Sequence, residues 1–260
     1  MTSDLGRRQL ADDLRAAVAE GALQVWFQPQ LRLASDSIAG AEALCRWHHR
    51  TFGPIQPTVF IPLAERDSLI ADLERLVLNR ACTLAAPWIA AGLIRRLSVN
   101  LSPRHAEMGS AVDDVVQALA SSAMEASALE LEITENHPAL PHAGIWEKLR
   151  ELGVSLALDD FGTCHSNLAY LGRLPVSALK IDQSFVAEID VAGKGRAIVE
   201  AVIGLATAFG LRTVAEGVNR AEQLKTLREL KCDEVQGFLI GEPMPAEVFG
   251  RWLHERAGLT

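Results

Sequence analysis

Residues 154–162 read Val154-Ser155-Leu156-Ala157-Leu158-Asp159-Asp160-Phe161-Gly162. An apolar run of strand length ends in two adjacent carboxylates, and Phe-Gly then breaks the pattern. Neighbouring carboxylates repel each other, and a core strand gains nothing from them. A doubly charged cation, or a pair of them, is the simplest partner that turns the doublet into a site.

The same unit recurs on both sides of this stretch. Strand Leu97–Leu101 precedes helix Ala111–Ala123, and strand Leu129–Ile133 precedes helix Gly144–Leu152. After strand Val154–Leu158 comes a short helix near Leu168–Leu174. Strand Ala178–Ile181 then leads to helix Lys194–Phe209, strand Leu211–Ala215 to helix Arg220–Leu230, and strand Glu234–Leu239 to helix Pro245–Ala257. The strands are short and read as apolar on both faces, as parallel strands covered by helices do. Upstream, Asp4 to Glu20 reads as an amphipathic helix stopped by Gly21. Leu23–Phe27 and Ile38–Leu44 read as strands joined through Ala34-Ser35-Asp36-Ser37, a link short enough to favour an antiparallel pair. Phe60 to Gly92 reads as mostly helical with an interruption at Pro87. The eight strands imply an α/β protein, a TIM-like (β/α)8 barrel with its first strand antiparallel to the rest. Residues 1–21 form a lead-in helix in this reading, and residues 22–260 a single barrel domain.

Composition agrees. The chain has 260 residues and is 49% hydrophobic, enough for one barrel of about 250 residues. Net charge is −8, and no Lys/Arg run is long enough to form a DNA or RNA stripe. Cys45, Cys82, Cys164 and Cys232 are far apart and form no CxxC pair, which fits reduced thiols in a cytoplasmic domain. The seven histidines lack HxxxH and HExxH spacing, so a histidine-based zinc site is not expected. No apolar run reaches about 18 residues, so no membrane span is encoded, and the first residues lack a signal-peptide stretch.

Polar groups recur where strands finish: Glu42, Asn100, Glu132 and Glu135, Asp159 and Asp160, Lys180, Glu216 and Gln236. In a barrel the C-terminal strand ends meet on one face, where the βα loops build the active site. Each residue also has a bland reading. Glu132 or Glu130 faces solvent, Lys180 pairs with Asp182, Asn100 makes turn bonds, Glu216 is a loop acid, and Gln236 satisfies buried backbone. Taken together, burying so many acids without a cation is too costly. Oxygen ligands without histidine favour Mg²⁺ or Mn²⁺. A bridging carboxylate beside another suits two metals, an arrangement used for phosphodiester displacement.

The motifs then become specific. Ala41-Glu42-Ala43-Leu44-Cys45-Arg46-Trp47 resembles the signature of EAL domains, the bacterial cyclic di-GMP phosphodiesterases. Phe27-Gln28-Pro29, Ser98-Val99-Asn100-Leu101-Ser102, Glu130-Leu131-Glu132-Ile133-Thr134-Glu135, Asp159-Asp160-Phe161-Gly162-Thr163, Leu179-Lys180-Ile181-Asp182, Ala215-Glu216-Gly217-Val218 and Gln236-Gly237-Phe238 occur in that family's order. The resemblance implies that Glu42, Asn100, Glu132 and Asp159 hold one metal. Asp159 would bridge to a second, completed by Asp160 and Glu216. Lys180 would hydrogen-bond the attacking water, and Gln236 would orient a water on the metal. In a one-metal scheme Glu216 is the general base instead. Gln28, Leu44 and Arg46 would contact the nucleotide, and Glu135 would anchor the loop after Asp160. The implied reaction opens cyclic di-GMP to linear 5′-pGpG. The resemblance also implies a homodimer and an upstream GGDEF or sensory domain.

The sequence departs from the family around these positions. Cys164 and His165 replace a glycine and an aromatic, Asn219 replaces an acid, and Arg50 replaces a proline. A second function class therefore stays open, a non-catalytic receptor that binds cyclic di-GMP and signals through a partner domain.

Overall fold

The computed structural model describes residues 4–134, 144–162, 171, 172, 174–189 and 194–258. Eight strands close into a barrel: β1 (Gln24–Arg32), β2 (Ser37–His49), β4 (Arg96–Asn100), β5 (Leu129–Thr134), β6 (Ser155–Phe161), β7 (Ala178–Ile181), β8 (Arg212–Ala215) and β9 (Glu234–Gln236). β1 runs antiparallel to both neighbours, β2 and β9, and the other neighbouring pairs are parallel. The barrel and its reversed first strand are those expected from the sequence. Two short strands lie outside that reading. β3 (Gly53–Ile55) forms a hairpin on β2, and β10 (Met244–Pro245) pairs with β1.

The helices cover the outside. They are α1 (Asp4–Ala19), α2 (Pro57–Arg66), α3 (Ile70–Ala90), α4 (Pro103–Glu107), α5 (Ala111–Ser122), α6 (Gly144–Glu151), α7 (Gln183–Ala187), α8 (Lys194–Phe209), α9 (Ala221–Glu229) and α10 (Ala246–Arg256). The helix break expected at Pro87 lies elsewhere. Ser68 takes a left-handed conformation (φ 56°), Leu69 N–H donates back to Ala64, and the chain restarts as α3. Pro87 stays inside α3 near its end, where the missing N–H costs a single helical bond. Outside β1, the rings of Phe27, Trp88 and Phe249 pack with centroids 4.9–5.8 Å apart, tying α3 and α10 to that strand. The helix expected near Leu168–Leu174 lies largely outside the described residues. Among the described residues Cys45, Cys82 and Cys232 are free thiols.

The strands are not apolar on both faces. Leu97, Val99, Leu129, Leu131 and Ile133 enter the hydrophobic core, while alternate positions carry polar side chains inward. Glu130 and Glu132 are two residues apart, so the period-2 rule puts both on one face, and both are buried. Neither faces solvent, contrary to the bland expectation. The interior divides into two layers. In the lower layer Arg96 and Arg212 each pair with both Glu130 and Glu234, and Ser98 donates to Glu130 at 3.0 Å. In the upper layer lie Glu42, Glu132, Asp159, Asp160 and Glu216.

Candidate active site

Lys180 stands at the centre of the upper layer, with its side chain 1% exposed. Its ammonium lies 2.6 Å from Glu132 Oε2, 2.7 Å from Glu216 Oε1, 3.3 Å from Asp159 Oδ1 and 3.6 Å from Glu42 Oε2. Asp182 instead caps α7 by accepting from Ser184 N–H. Its proposed pairing with Lys180 is therefore replaced by a cluster of strand-end acids. The Asn100 amide donates to Glu42 Oε1 at 3.0 Å, and the Gln236 amide donates to Glu42 Oε2 at 2.6 Å. These bonds are to side chains, so the turn-bond reading of Asn100 and the backbone reading of Gln236 give way to the site.

The neighbouring acids Asp159 and Asp160 should point to opposite faces of a strand. A local irregularity prevents this. The β6–β7 register shifts between Leu158 and Phe161, and Asp160 takes φ 54°. A positive φ at a non-glycine residue is strained and is often found at functional sites. Asp160 N–H donates to Asp159 Oδ1 at 2.9 Å. The irregularity brings both carboxylates together with Glu216, so that oxygens of Asp159, Asp160 and Glu216 lie within 4.8 Å of one another. Glu216 is fixed from below, since its N–H donates to Ile181 at 3.0 Å. Gly217 follows at φ 67°, and a Cβ there would come 2.6 Å from Gln183 Cβ. Only glycine fits that turn.

Electrostatics mark the site as short of positive charge. Burial pushes the Glu132 carboxyl well above its ordinary value, and the Glu42 charge reinforces it. Burial raises Glu216 to about 8 despite Lys180. Burial and Asp159 together raise Asp160. Glu42 goes the other way: burial opposes ionisation, but Lys180, Gln236 and Asn100 outweigh it. Burial alone would lower Lys180, yet Asp159, Glu132, Glu216 and Glu42 raise it well above a free lysine. The ammonium therefore stays charged. Glu132 Oε1 is buried with no hydrogen-bond partner among the described residues. An orphaned carboxylate oxygen beside all-oxygen donors fits a hard divalent cation.

On β2, Leu44 and Arg46 follow Glu42 at two-residue steps, so all three share the face that rises from the barrel interior to its rim. β1 runs the other way, placing Gln28 opposite Glu42, Trp26 opposite Leu44 and Gln24 opposite Arg46. Gln28 accepts from Gln236 at 3.0 Å, and Arg46 sits 5.7 Å from the Trp26 ring centroid. Trp26 and Gln30 were not among the sequence candidates. Their signal was the two-residue spacing Gln24, Trp26, Gln28, Gln30, which reads as one strand face only once β1 is seen to extend to Arg32. Asn219 accepts from Phe238 N–H at 3.0 Å, tying the loops after β8 and β9 together. Arg50 pairs with exposed Glu20 at 3.1 Å. Glu135, Cys164 and His165 lie outside the described residues.

Comparison with known proteins agrees with this geometry. A family described as "EAL domain" matches residues 11–243. The chain is 41% identical over 252 residues to the cyclic di-GMP phosphodiesterase NbdA of Pseudomonas aeruginosa, covering 94% of this chain and 32% of that protein. It is 40% identical over 243 residues to the bifunctional diguanylate cyclase/cyclic di-GMP phosphodiesterase MucR of the same species, covering 92% of this chain and 36% of MucR. The chain thus spans about a third of the length of these curated relatives. A solved structure of the PaMucR phosphodiesterase in complex with c-di-GMP superposes with a TM-score of 0.86 at 40% identity, covering 93% of this chain and 99% of that one. The EAL enzyme Bd1971, in its cAMP- and cyclic-di-GMP-bound form, gives 0.87 at 28% identity, with 96% and 68% covered.

Proposed function

Because this chain belongs to the EAL domain family, we propose that it is a metal-dependent phosphodiesterase that hydrolyses cyclic di-GMP to linear 5′-pGpG. The observation that carries the reading is the upper layer itself. Four carboxylates lie within 3.6 Å of one lysine, and the buried Glu132 Oε1 lacks a partner among the described residues. Glu42, Asn100, Glu132 and Asp159 would hold one cation, and Asp159, Asp160 and Glu216 a second, with Mg²⁺ or Mn²⁺ the expected metals. When bound, such cations supply Lewis acidity toward water and phosphate oxygens.

The chain's own groups then have distinct tasks. Lys180, held charged by four acids, donates a hydrogen bond to the attacking water rather than removing its proton. Gln236 holds Glu42 in place through their 2.6 Å bond. Arg46, at the rim beside Trp26, binds a phosphate oxygen of the substrate, and Gln28 and Leu44 line the same wall. Glu216 serves as a ligand in this reading, supported by its place beside Asp159 and Asp160. Glu135, outside the described residues, is assigned by family resemblance alone and would anchor the loop after β6.

The test is turnover. Purified protein with Mg²⁺ or Mn²⁺ is expected to form 5′-pGpG, and Glu42→Ala to abolish it. Tight cyclic di-GMP binding with no turnover in either metal would replace the enzyme with the receptor reading. The proposal includes residues 1–21 as a lead-in to one barrel domain, a homodimer, a GGDEF or sensory segment in the full-length protein, and a cytoplasmic setting. Among the described residues no helix is long and apolar enough to cross a membrane. Sedimentation showing only monomer would remove the dimer.

A further inference from the structure

A chain of buried amides runs from the lower layer into the active site, and it begins at Gln30, which has no exposed surface. Arg96 Nη2 donates to Gln30 Oε1 at 2.8 Å. Gln30 Nε2 donates to Gln236 Oε1 at 3.0 Å. Gln236 Nε2 donates to Glu42 Oε2 at 2.6 Å and to Gln28 Oε1 at 3.0 Å. Gln28 Nε2 in turn donates to the Gly241 carbonyl at 3.2 Å.

The ends of this chain are chemically one-directional. A guanidinium only donates, and an ionised carboxylate only accepts. Arg96 is itself fixed by Glu130 and Glu234. The two amides between Arg96 and Glu42 can satisfy both ends only head to tail, with every oxygen toward Arg96 and every nitrogen toward Glu42. An isolated glutamine could flip at little cost. Here a flip of Gln236 would set its oxygen against the Glu42 carboxylate and its nitrogen against the Gln30 nitrogen.

We propose that Gln30 is a positioning residue for the active site: anchored by Arg96, it fixes the orientation of the Gln236 amide and thereby aims Glu42 at the metal. Gly40 leaves the space it needs, since a Cβ there would meet Gln30 Oε1 at 3.1 Å and the Arg96 carbonyl at 2.7 Å. The inference rests on the reading of Glu42 as a metal ligand. Groups that orient metal ligands are worth about 10–100-fold in affinity or activity.

A double-mutant cycle tests it. Gln30→Met, Gln236→Met and the double variant are titrated with Mn²⁺ alone by calorimetry, and kcat and KM are measured for cyclic di-GMP. Gln30→Met is expected to weaken Mn²⁺ binding about 10-fold and to lower kcat with little change in KM. The double variant is expected to match Gln236→Met, because Gln30 acts only through Gln236. Additive losses, or Mn²⁺ affinity unchanged in Gln30→Met, would overturn the proposal. If Gln30→Met does not fold, Gln30→Glu serves: it can still accept from Arg96 but cannot donate to Gln236, so the same non-additive loss is expected. Absence of turnover in the unmodified protein counts against the phosphodiesterase reading, and the Mn²⁺ titrations still decide the role of Gln30.

Discussion

Glu130 and Glu132 are two residues apart on one strand, both buried inside the barrel, and they meet opposite electrostatics. Glu130 is held by Arg96, Arg212 and Ser98. Glu132 has a single lysine, shared with three other acids, and one oxygen with no partner among the described residues. One carboxylate is neutralised by the protein, and the other is left for a cation.

Glu130→Leu and Glu132→Gln should therefore behave in opposite ways. Removing Glu130 leaves two arginines short of a buried counter-charge, and should destabilise the protein by about 3–5 kcal/mol. Chemical denaturation in EDTA measures this, and a loss below about 1 kcal/mol would contradict the lower layer as an ion-pair network.

Glu132→Gln keeps the shape and removes a repelled charge. In EDTA the variant is expected to be more stable than the parent by about 1–2 kcal/mol, while Mn²⁺ affinity and turnover fall at least about 10-fold. Lower stability without metal would show that Glu132 is a structural partner of Lys180 instead.

Metal-free stability should depend on pH in a stated direction. The Glu216 carboxyl is raised from 4.5 to about 8 by burial, and Glu132 is raised too. A carboxyl raised in the fold supports stability fully below its unfolded value, and that support is lost as pH rises through the folded value. The Tm in EDTA should therefore fall between pH 4.5 and about 8. Mg²⁺ or Mn²⁺ should reverse the fall, by about 2.7 kcal/mol at a hundredfold excess over Kd. A Tm that is flat or rises across this window in EDTA would count against a site starved of cations.

A second buried cluster gives a separate pH signature. His105 Nδ1 lies 3.0 Å from Glu74 of α3, and Nε2 lies 2.9 Å from Asp114 of α5 and 3.3 Å from Ser110. Glu74 also accepts from Ser102 N–H at 2.9 Å, two residues beyond Asn100. Only the imidazolium can donate to both acids. Burial would lower its pKa, but the bonds to Glu74 and Asp114 raise it above 6.5. The stabilisation is complete below that value and is lost as pH rises through the raised one. His105→Leu leaves both carboxylates buried without a counter-charge, and should cost about 3–5 kcal/mol at pH 6. Urea unfolding of the two proteins at pH 6 and at pH 9 checks it, with the difference expected to shrink at the higher pH.

Much of this was legible from residue order. Strand-end acids and apolar runs such as Leu156 to Leu158 carry local signals, and the barrel follows from their repetition. The bulge at Asp159–Asp160 was not legible, because a positive φ at aspartate has no pattern of its own. Nor was the break at Ser68, where the sequence shows a proline further on that the helix tolerates. Glu130 looked like an alternative to Glu132, since a strand seen alone does not show that its inner face is stratified by depth.

By itself, the sequence determined the alternation of strands and helices and the identity of the groups at the strand ends, because periodicity and residue chemistry are local properties. Only the tertiary structure decided how those groups divide. Closing the barrel pairs Arg96 and Arg212 with Glu130 and Glu234, and leaves Glu42, Glu132, Asp159 and Glu216 around one lysine. The reason is physical: charge compensation depends on distances across the barrel, between residues as far apart in the chain as Arg96 and Glu234, 138 positions, and no reading along the chain contains those distances.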